Sequence, residues 1–164
     1  VPGTSFYGLF FSDINSGWAC GGITTGNFGV VYKTIDGGTN WSLKDLTSLS
    51  ASALRDIHFG TDGMGWAVGD NSTIVKSSDG GDTWTKDALF VTEQGAGRNL
   101  LAVSAIFENV AYVAGDAGGL GNFYYFISDT INGVKYVYTP VDSIWMKVTT
   151  GGGIKQGFVT ALTV

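Results

Sequence analysis

The chain has 164 residues, enough for one domain with a packed core. Its formal net charge is −5, it has only nine basic residues, and no cluster of Lys or Arg occurs, which excludes nucleic acid and anionic membrane surfaces as partners. Glycine is abundant at 26, proline is scarce at 2 and aromatic residues make up 13%, a composition of many short strands and glycine turns rather than of disorder. No apolar run approaches the roughly 18 residues of a membrane span, so no membrane insertion is expected.

Val1-Pro2-Gly3 at the start reads as processed or cut from something longer. Beyond it, three stretches repeat one plan. The first runs Leu9-Phe10-Phe11, a polar loop, Gly17-Trp18-Ala19-Cys20, a glycine-rich loop, then Val30-Val31-Tyr32-Lys33. The second runs Ile57-His58-Phe59, Gly65-Trp66-Ala67-Val68, then Thr73-Ile74-Val75-Lys76. The third runs Ala105-Ile106-Phe107, Ala111-Tyr112-Val113-Ala114, then Phe123-Tyr124-Tyr125-Phe126 and Asp129. Trp18, Trp66 and Tyr112 lie 48 and 46 residues apart. Each unit therefore holds four short strands, and the three aromatic residues are expected buried at equivalent places on the second strand. Helical periodicity is absent.

The units are placed at about 5–50, 51–97 and 98–157, with 158–164 as the opening strand of a further one. The third unit is degenerate. Thr130-Ile131 stands where the others have Gly-Gly, and Trp145 reads as a displaced partner of the earlier tryptophans. Between them lies an insertion at about 130–143, carrying Tyr136, Val137 and Tyr138, which suits an extra hairpin.

The first two units end in one motif: Thr34-Ile35-Asp36-Gly37-Gly38-Thr39-Asn40-Trp41 and Ser77-Ser78-Asp79-Gly80-Gly81-Asp82-Thr83-Trp84. Asp followed by Gly-Gly between apolar runs is a strong hairpin signal. The glycines allow positive φ, the carboxylate accepts backbone N–H bonds of its own turn, and the Thr34 or Ser77 hydroxyl adds another. Trp41 and Trp84 then return the chain to the sheet and cover the turn.

This pattern resembles the Asp-box, or BNR repeat, carried here by Thr34, Asp36, Gly38 and Trp41 and by Ser77, Asp79, Gly81 and Trp84. The resemblance implies an all-β fold of β-propeller-type four-stranded antiparallel blades, about three of them plus the first strand of a fourth. In such families the box joins the outer two strands and lies away from the binding face, so Asp36 and Asp79 are expected to be structural. Gly65 to Asp70 followed by Ser77 to Trp84 looks most like non-catalytic BNR-like propellers, such as photosystem II assembly and stability factors. The chain departs from those factors in lacking a basic patch, which sets the expectation against a photosynthetic role.

Strand polarity sorts the loops into two ends. The Asp-box turns share one end with 12–17 and 60–65. The opposite end carries 21–29, 69–72, 115–122 and the inter-unit segments. In propellers that end usually binds ligands; here it offers Asn27, Phe28, Asp70, Asn71, Glu93, Arg98 and Asp116. Asn40-Trp41-Ser42 and Asn71-Ser72-Thr73 are N-glycosylation sequons at expected turns.

Catalysis finds no footing. Asp-box sialidases need three arginines, and the chain has only Arg55 and Arg98. A single His and a single Cys leave no zinc site, and no cofactor or metal is expected. Cys20 stands where the next unit has Val68, a buried apolar slot. The expectation is a non-catalytic binding or structural module, extracellular or at the cell surface, in an oligomer or filament of itself or in a longer propeller. The alternative is a carbohydrate-active or lectin-like propeller fragment that binds glycans. Three blades fall short of the four to eight that close a ring.

Overall fold

The computed structural model describes residues 3–88, 96–107, 110–116, 122–128, 130–131, 134–135 and 143–148. Glu93, Asp129, Tyr136, Val137, Tyr138 and the expected strand at 158–164 lie outside the described residues.

The architecture is all-β, built from propeller-type antiparallel blades. Strands β1 (Thr4–Phe11), β2 (Gly17–Ile23), β3 (Phe28–Thr34) and β4 (Ser42–Lys44) form the first sheet in sequence order. Strands β5 (Leu54–Phe59), β6 (Gly65–Gly69), β7 (Ile74–Ser77) and β8 (Thr85–Lys86) form the second. The third uses β9 (Asn99–Phe107), β10 (Val110–Asp116), β11 (Asn122–Ser128) and β14 (Ser143–Val148). Between β11 and β14 the short strands β12 (Thr130–Ile131) and β13 (Val134–Lys135) pair as a separate hairpin. A single 3-10 turn at Thr47–Leu49 links the first two sheets.

Directly opposed residues of an antiparallel ladder share a face, and each blade has two apolar faces. Trp18, Cys20 and Val31 of the first blade pack against Leu54, Ile57, Phe59, Ala67, Val75 and Trp84 of the second. Trp66, Val68 and Ile74, on the other face of the second blade, pack against Leu100, Val103, Ala105, Ala111 and Val113 of the third. Trp66 is fully buried, and burial of so large an apolar side chain is worth about 1.5–3 kcal/mol.

Trp18 and Trp66 are buried, but Tyr112 is not: it is 37% exposed. Its register matches theirs, opposite Ser104 and Tyr125 as Trp66 is opposite His58 and Lys76. The difference is packing. Trp18 faces the second blade and Trp66 the third, whereas Tyr112 lies on the face of the third blade turned away from the second. Trp145 keeps the place the sequence gives it: Met146 lies opposite Tyr125 as Ser42 lies opposite Lys33, so Trp145, one residue earlier and opposite Phe126, holds the register position of Trp41.

The inner strands of the second and third blades are tied by side chains. Asp56 Oδ2 accepts the Val103 N–H at 2.9 Å and His58 Nδ1 accepts the Ala105 N–H at 3.2 Å. Two side chains of β5, two residues apart, thus take up two backbone donors at the edge of β9. The expected outcome of Asp56→Ala is a loss of about 1–3 kcal/mol in urea unfolding, because the Val103 donor stays buried without its acceptor.

Candidate functional site

The Asp-box end is built from its own hydrogen bonds. In the first blade the Thr34 hydroxyl donates to Asp36 Oδ1 at 2.8 Å and accepts the Gly38 N–H at 2.9 Å. Asp36 in turn accepts the Asn40 N–H and the Asn40 side-chain amide, each at 2.8 Å. The second blade repeats this: Ser77 donates to Asp79 and accepts the Gly81 N–H, each at 2.8 Å, and Asp79 accepts the Thr83 N–H at 2.9 Å. Gly37, Gly38, Gly80 and Gly81 all have φ between +69° and +89°, where a side chain is strained. The indoles of Trp41 and Trp84 donate to the carbonyls of Gly38 and Gly81.

These donors hold both carboxyls below the ordinary carboxylate value, Asp79 chiefly through the Thr83 hydroxyl and Asp36 chiefly through the Asn40 N–H. The geometry fixes a turn: each carboxylate is spent on donors of its own box. Asn40 spends its side-chain amide on Asp36, which occupies the first sequon. In the second sequon Ser72 and Thr73 are buried.

At the opposite end the inner strand of every blade carries a β-bulge at the same place. The ladder skips Tyr7 between Phe6 and Gly8, and Arg55 between Leu54 and Asp56. In β9 it skips Leu101, since Gly115 lies opposite Leu100 and Ala114 opposite Ala102. A glycine faces each bulge on the second strand. A Cβ would stand 2.0 Å from the Ser5 carbonyl at Gly21, 2.0 Å from the Ala53 carbonyl at Gly69 and 2.3 Å from the Asn99 carbonyl at Gly115. Only glycine lets the bulged backbone come that close. Bulges re-aim side chains. Tyr7 and Leu101 are about half exposed here, and Arg55 is partly so.

The re-aimed residues of the first two blades meet. The Arg55 guanidinium lies 4.4 Å from the centre of the Tyr7 ring. Asp70 holds it in two bonds, from Nε at 2.8 Å and from Nη2 at 2.7 Å. These bonds, with a smaller contribution from the Asn27 side chain, keep the Asp70 carboxyl below its ordinary value. Asn27 and Asn71 both take positive φ in the loops alongside.

Of the residues anticipated at this end, the structure brings Asn27 and Asp70 together. Asn71 flanks them next to Ser72, whose N–H donates to the Arg98 carbonyl at 2.6 Å while its hydroxyl accepts the Arg98 N–H at 3.1 Å. Phe28 is exposed and lines a separate cavity of about 360 Å³, with Ile23, Val30, Leu43 and Leu46. Asp116 ends β10 opposite Asn99. Tyr7 and Arg55 were missed from sequence, although Tyr7, Arg55 and Leu101 recur at the same 48- and 46-residue spacing as Trp18, Trp66 and Tyr112. Cys20 is fully buried between blades, where desolvation, aided by the Asp56 charge, pushes its thiol up to about 12. Among the described residues no group of His, Cys, Asp and Glu is placed to hold a metal.

Asp-box turns on four-stranded blades that stack face to face define a BNR-like propeller protein. Residues 47–124 match the model of the family described as photosynthesis system II assembly factor YCF48. Two solved structures have the same fold. YCF48 bound to a D1 peptide is 22% identical with a TM-score of 0.58, over 76% of this chain and 38% of that one. YCF48 from Cyanidioschyzon merolae is 21% identical with a TM-score of 0.57, over 76% and 35%. The chain thus spans less than two fifths of the length of either solved relative. No curated protein matches it.

The matching family is described as an assembly factor, and one of the two solved structures holds a D1 peptide. They overturn the expected extracellular or cell-surface location, since such factors act in thylakoid-related compartments. The missing basic patch, which set the expectation against a photosynthetic role, does not report a compartment. Nothing in the comparisons supports glycan binding or a filament.

The lowered Asp79 carboxyl makes the turn acid-sensitive. A depressed folded value adds stability above the unfolded value of about 3.9, and that stability drains away as pH falls below it. Wild-type Tm is expected to drop more steeply than that of Asp79→Asn between about pH 5 and pH 2, the range spanning the unfolded value, as read by circular dichroism.

Proposed function

We propose that this protein is a non-catalytic adaptor that binds an extended segment of a partner protein at the loop-rich end, across Tyr7, Arg55 and Asp70. One observation carries the reading: the Arg55 guanidinium, stacked on Tyr7 and fixed by Asp70, sits on a backbone bulge that turns it out of the sheet. A preorganised fork of this kind loses little entropy on binding. Asp70 uses two of its five N–H donors, so donors remain for a carbonyl or carboxylate of the bound segment. The exposed Tyr7 ring and Leu101 side chain supply apolar contact. Because Asp70 neutralises the fork, hydrogen-bond geometry and ring contact select the segment more than bulk charge does. The solved neighbour bound to a D1 peptide supports a protein segment as the class of ligand.

The test is fluorescence anisotropy with a labelled D1 peptide. Arg55→Ala and Tyr7→Ala should each weaken binding about tenfold or more, the usual loss at a central contact residue. Ile35→Ala, on an exposed side chain at the Asp-box end, should bind as wild type does. A peptide that ignores the chain, or an Arg55→Ala variant that binds normally, sinks the proposal.

A further inference from the structure

At the outer edge of the contact between the first and second blades, two lysines converge on one carboxylate. Lys33 of β3 and Lys44 of β4 share the face turned to the second blade, Lys33 opposite Trp18 and Lys44 opposite Val31. Each ammonium group donates to the same oxygen, Asp82 Oδ1 of the second Asp-box, at 3.0 and 2.9 Å. The lysine side chains are largely shielded, 14% and 18% exposed, whereas that of Asp82 is 58% exposed. Hydrogen bonds from Lys44 and then Lys33 hold the Asp82 carboxyl below its ordinary value.

The second blade carries a different pair at these positions. Lys76 lies opposite Trp66 and Thr85 as Lys33 lies opposite Trp18 and Ser42, and Asp87 follows Thr85 by two residues as Lys44 follows Ser42. Lys76 and Asp87 form an ion pair within their own blade at 2.9 Å. In the first blade a lysine stands where that aspartate would be, so two positive charges meet and Asp82 balances one of them. Each ammonium group has three N–H donors and uses one on Asp82. A cavity of about 380 Å³ opens beside them, walled also by Ile35, Asp36 and Trp41. The Asp36 oxygens already accept from Thr34 and Asn40. The volume falls within the range of small-molecule sites, roughly 300–1,000 Å³.

We propose that this cavity binds the dianionic phosphoryl group of a small molecule, held by Lys33 and Lys44, with Asp82 as the internal carboxylate it displaces. Asp82 Oδ1 marks the point where both ammonium groups hold one oxygen, and a phosphoryl oxygen takes the same place. Its second negative charge balances the lysine that Asp82 leaves uncompensated. The Asp82 side chain is free to swing outward without disturbing the turn, which is closed by the Asp82 N–H on Asp79 Oδ1 at 3.0 Å. Trp41 and Ile35 give apolar contact to the organic body of a phosphate monoester. A net charge of −5 repels an acidic polypeptide more than a small anion, which favours the small molecule as occupant. The site lies beside the Asp-box turns, at the other end of the blades from Tyr7 and Arg55, and does not depend on peptide binding there.

Isothermal titration calorimetry of the full chain with phenyl phosphate, and separately with inorganic phosphate, tests it. Lys33→Gln and Lys44→Gln should each weaken binding about tenfold or more, the loss of one charge-assisted hydrogen bond. Asp82→Asn should tighten binding, because the competing carboxylate is gone. Lysines that served only to join the two blades would show no such gain. Thermal melts report whether each variant is folded; should one lysine variant fail to fold, the other and Asp82→Asn decide. Tighter binding of phenyl phosphate assigns a monoester and equal binding assigns the free anion, and either supports the site. Failure of both phosphates to bind overturns the proposal. So does a lysine variant that binds normally, an Asp82→Asn variant that binds no tighter, or an acidic peptide that binds through the two lysines where the phosphates do not.

Discussion

The contact on which the stack depends is the Trp18 indole inserted against the Asp-box turn of the next blade. The ring lies 3.9 Å from Phe59, centre to centre, and its N–H reaches the Gly80 carbonyl. A Cβ at Gly81 would stand 2.3 Å from the indole nitrogen. The second glycine of the box therefore does two things: it takes the positive φ of the turn and leaves room for a tryptophan from another sheet. The turn is locally closed by Ser77 and Asp79, yet its outer surface is finished by the neighbouring blade. Trp84 is buried beside Phe59 and that turn, while its counterpart Trp41, on the open side of the first blade, is 37% exposed.

The same economy of small residues operates at the loop-rich end. Gly21, Gly69 and Gly115 admit the bulged inner strands, and the bulges turn out Tyr7, Arg55 and Leu101. The scaffold is thus constant from blade to blade while the residue it presents changes from an aromatic ring to a cation to an aliphatic chain. A binding surface that varies on a fixed frame is the arrangement expected when loops and bulges carry function and strands carry stability. The Arg55–Asp70 pair, bridging an inner strand and the turn after β6, then fixes the one charged member in place.

Adjacent blades are joined by different chemistry at the two interfaces. The first interface is aromatic, with Phe10, Trp18 and Phe59 in stacked array. The second adds Asp56 and His58, whose side chains accept backbone N–H groups of β9. Gly8 and Phe10 occupy the corresponding places in β1, so the first interface has no such polar tie. Phe10 instead packs against His58, 4.4 Å between ring centres, which brings all three inner strands to one imidazole.

The sequence by itself determined the repeat, the four-strand unit and the Asp-box turns. These rest on local rules: strand alternation, Asp-Gly-Gly at a hairpin, and a tryptophan two strands away at constant spacing. It also marked Cys20 as a core position, because Val68 fills the same slot one unit later. Tertiary structure alone decided that Tyr112 is exposed while Trp66 is buried, since burial belongs to the neighbouring blade and not to the strand that carries the residue. Only the folded ladder revealed the three bulges, because a bulge is a register relation between two strands and leaves no signature within one. Tyr7 and Arg55 are separated by 48 residues of chain and come within 4.4 Å only when two sheets stack. A site assembled across blades is legible in the packing, because the forces that assemble it act between sheets and not along the chain.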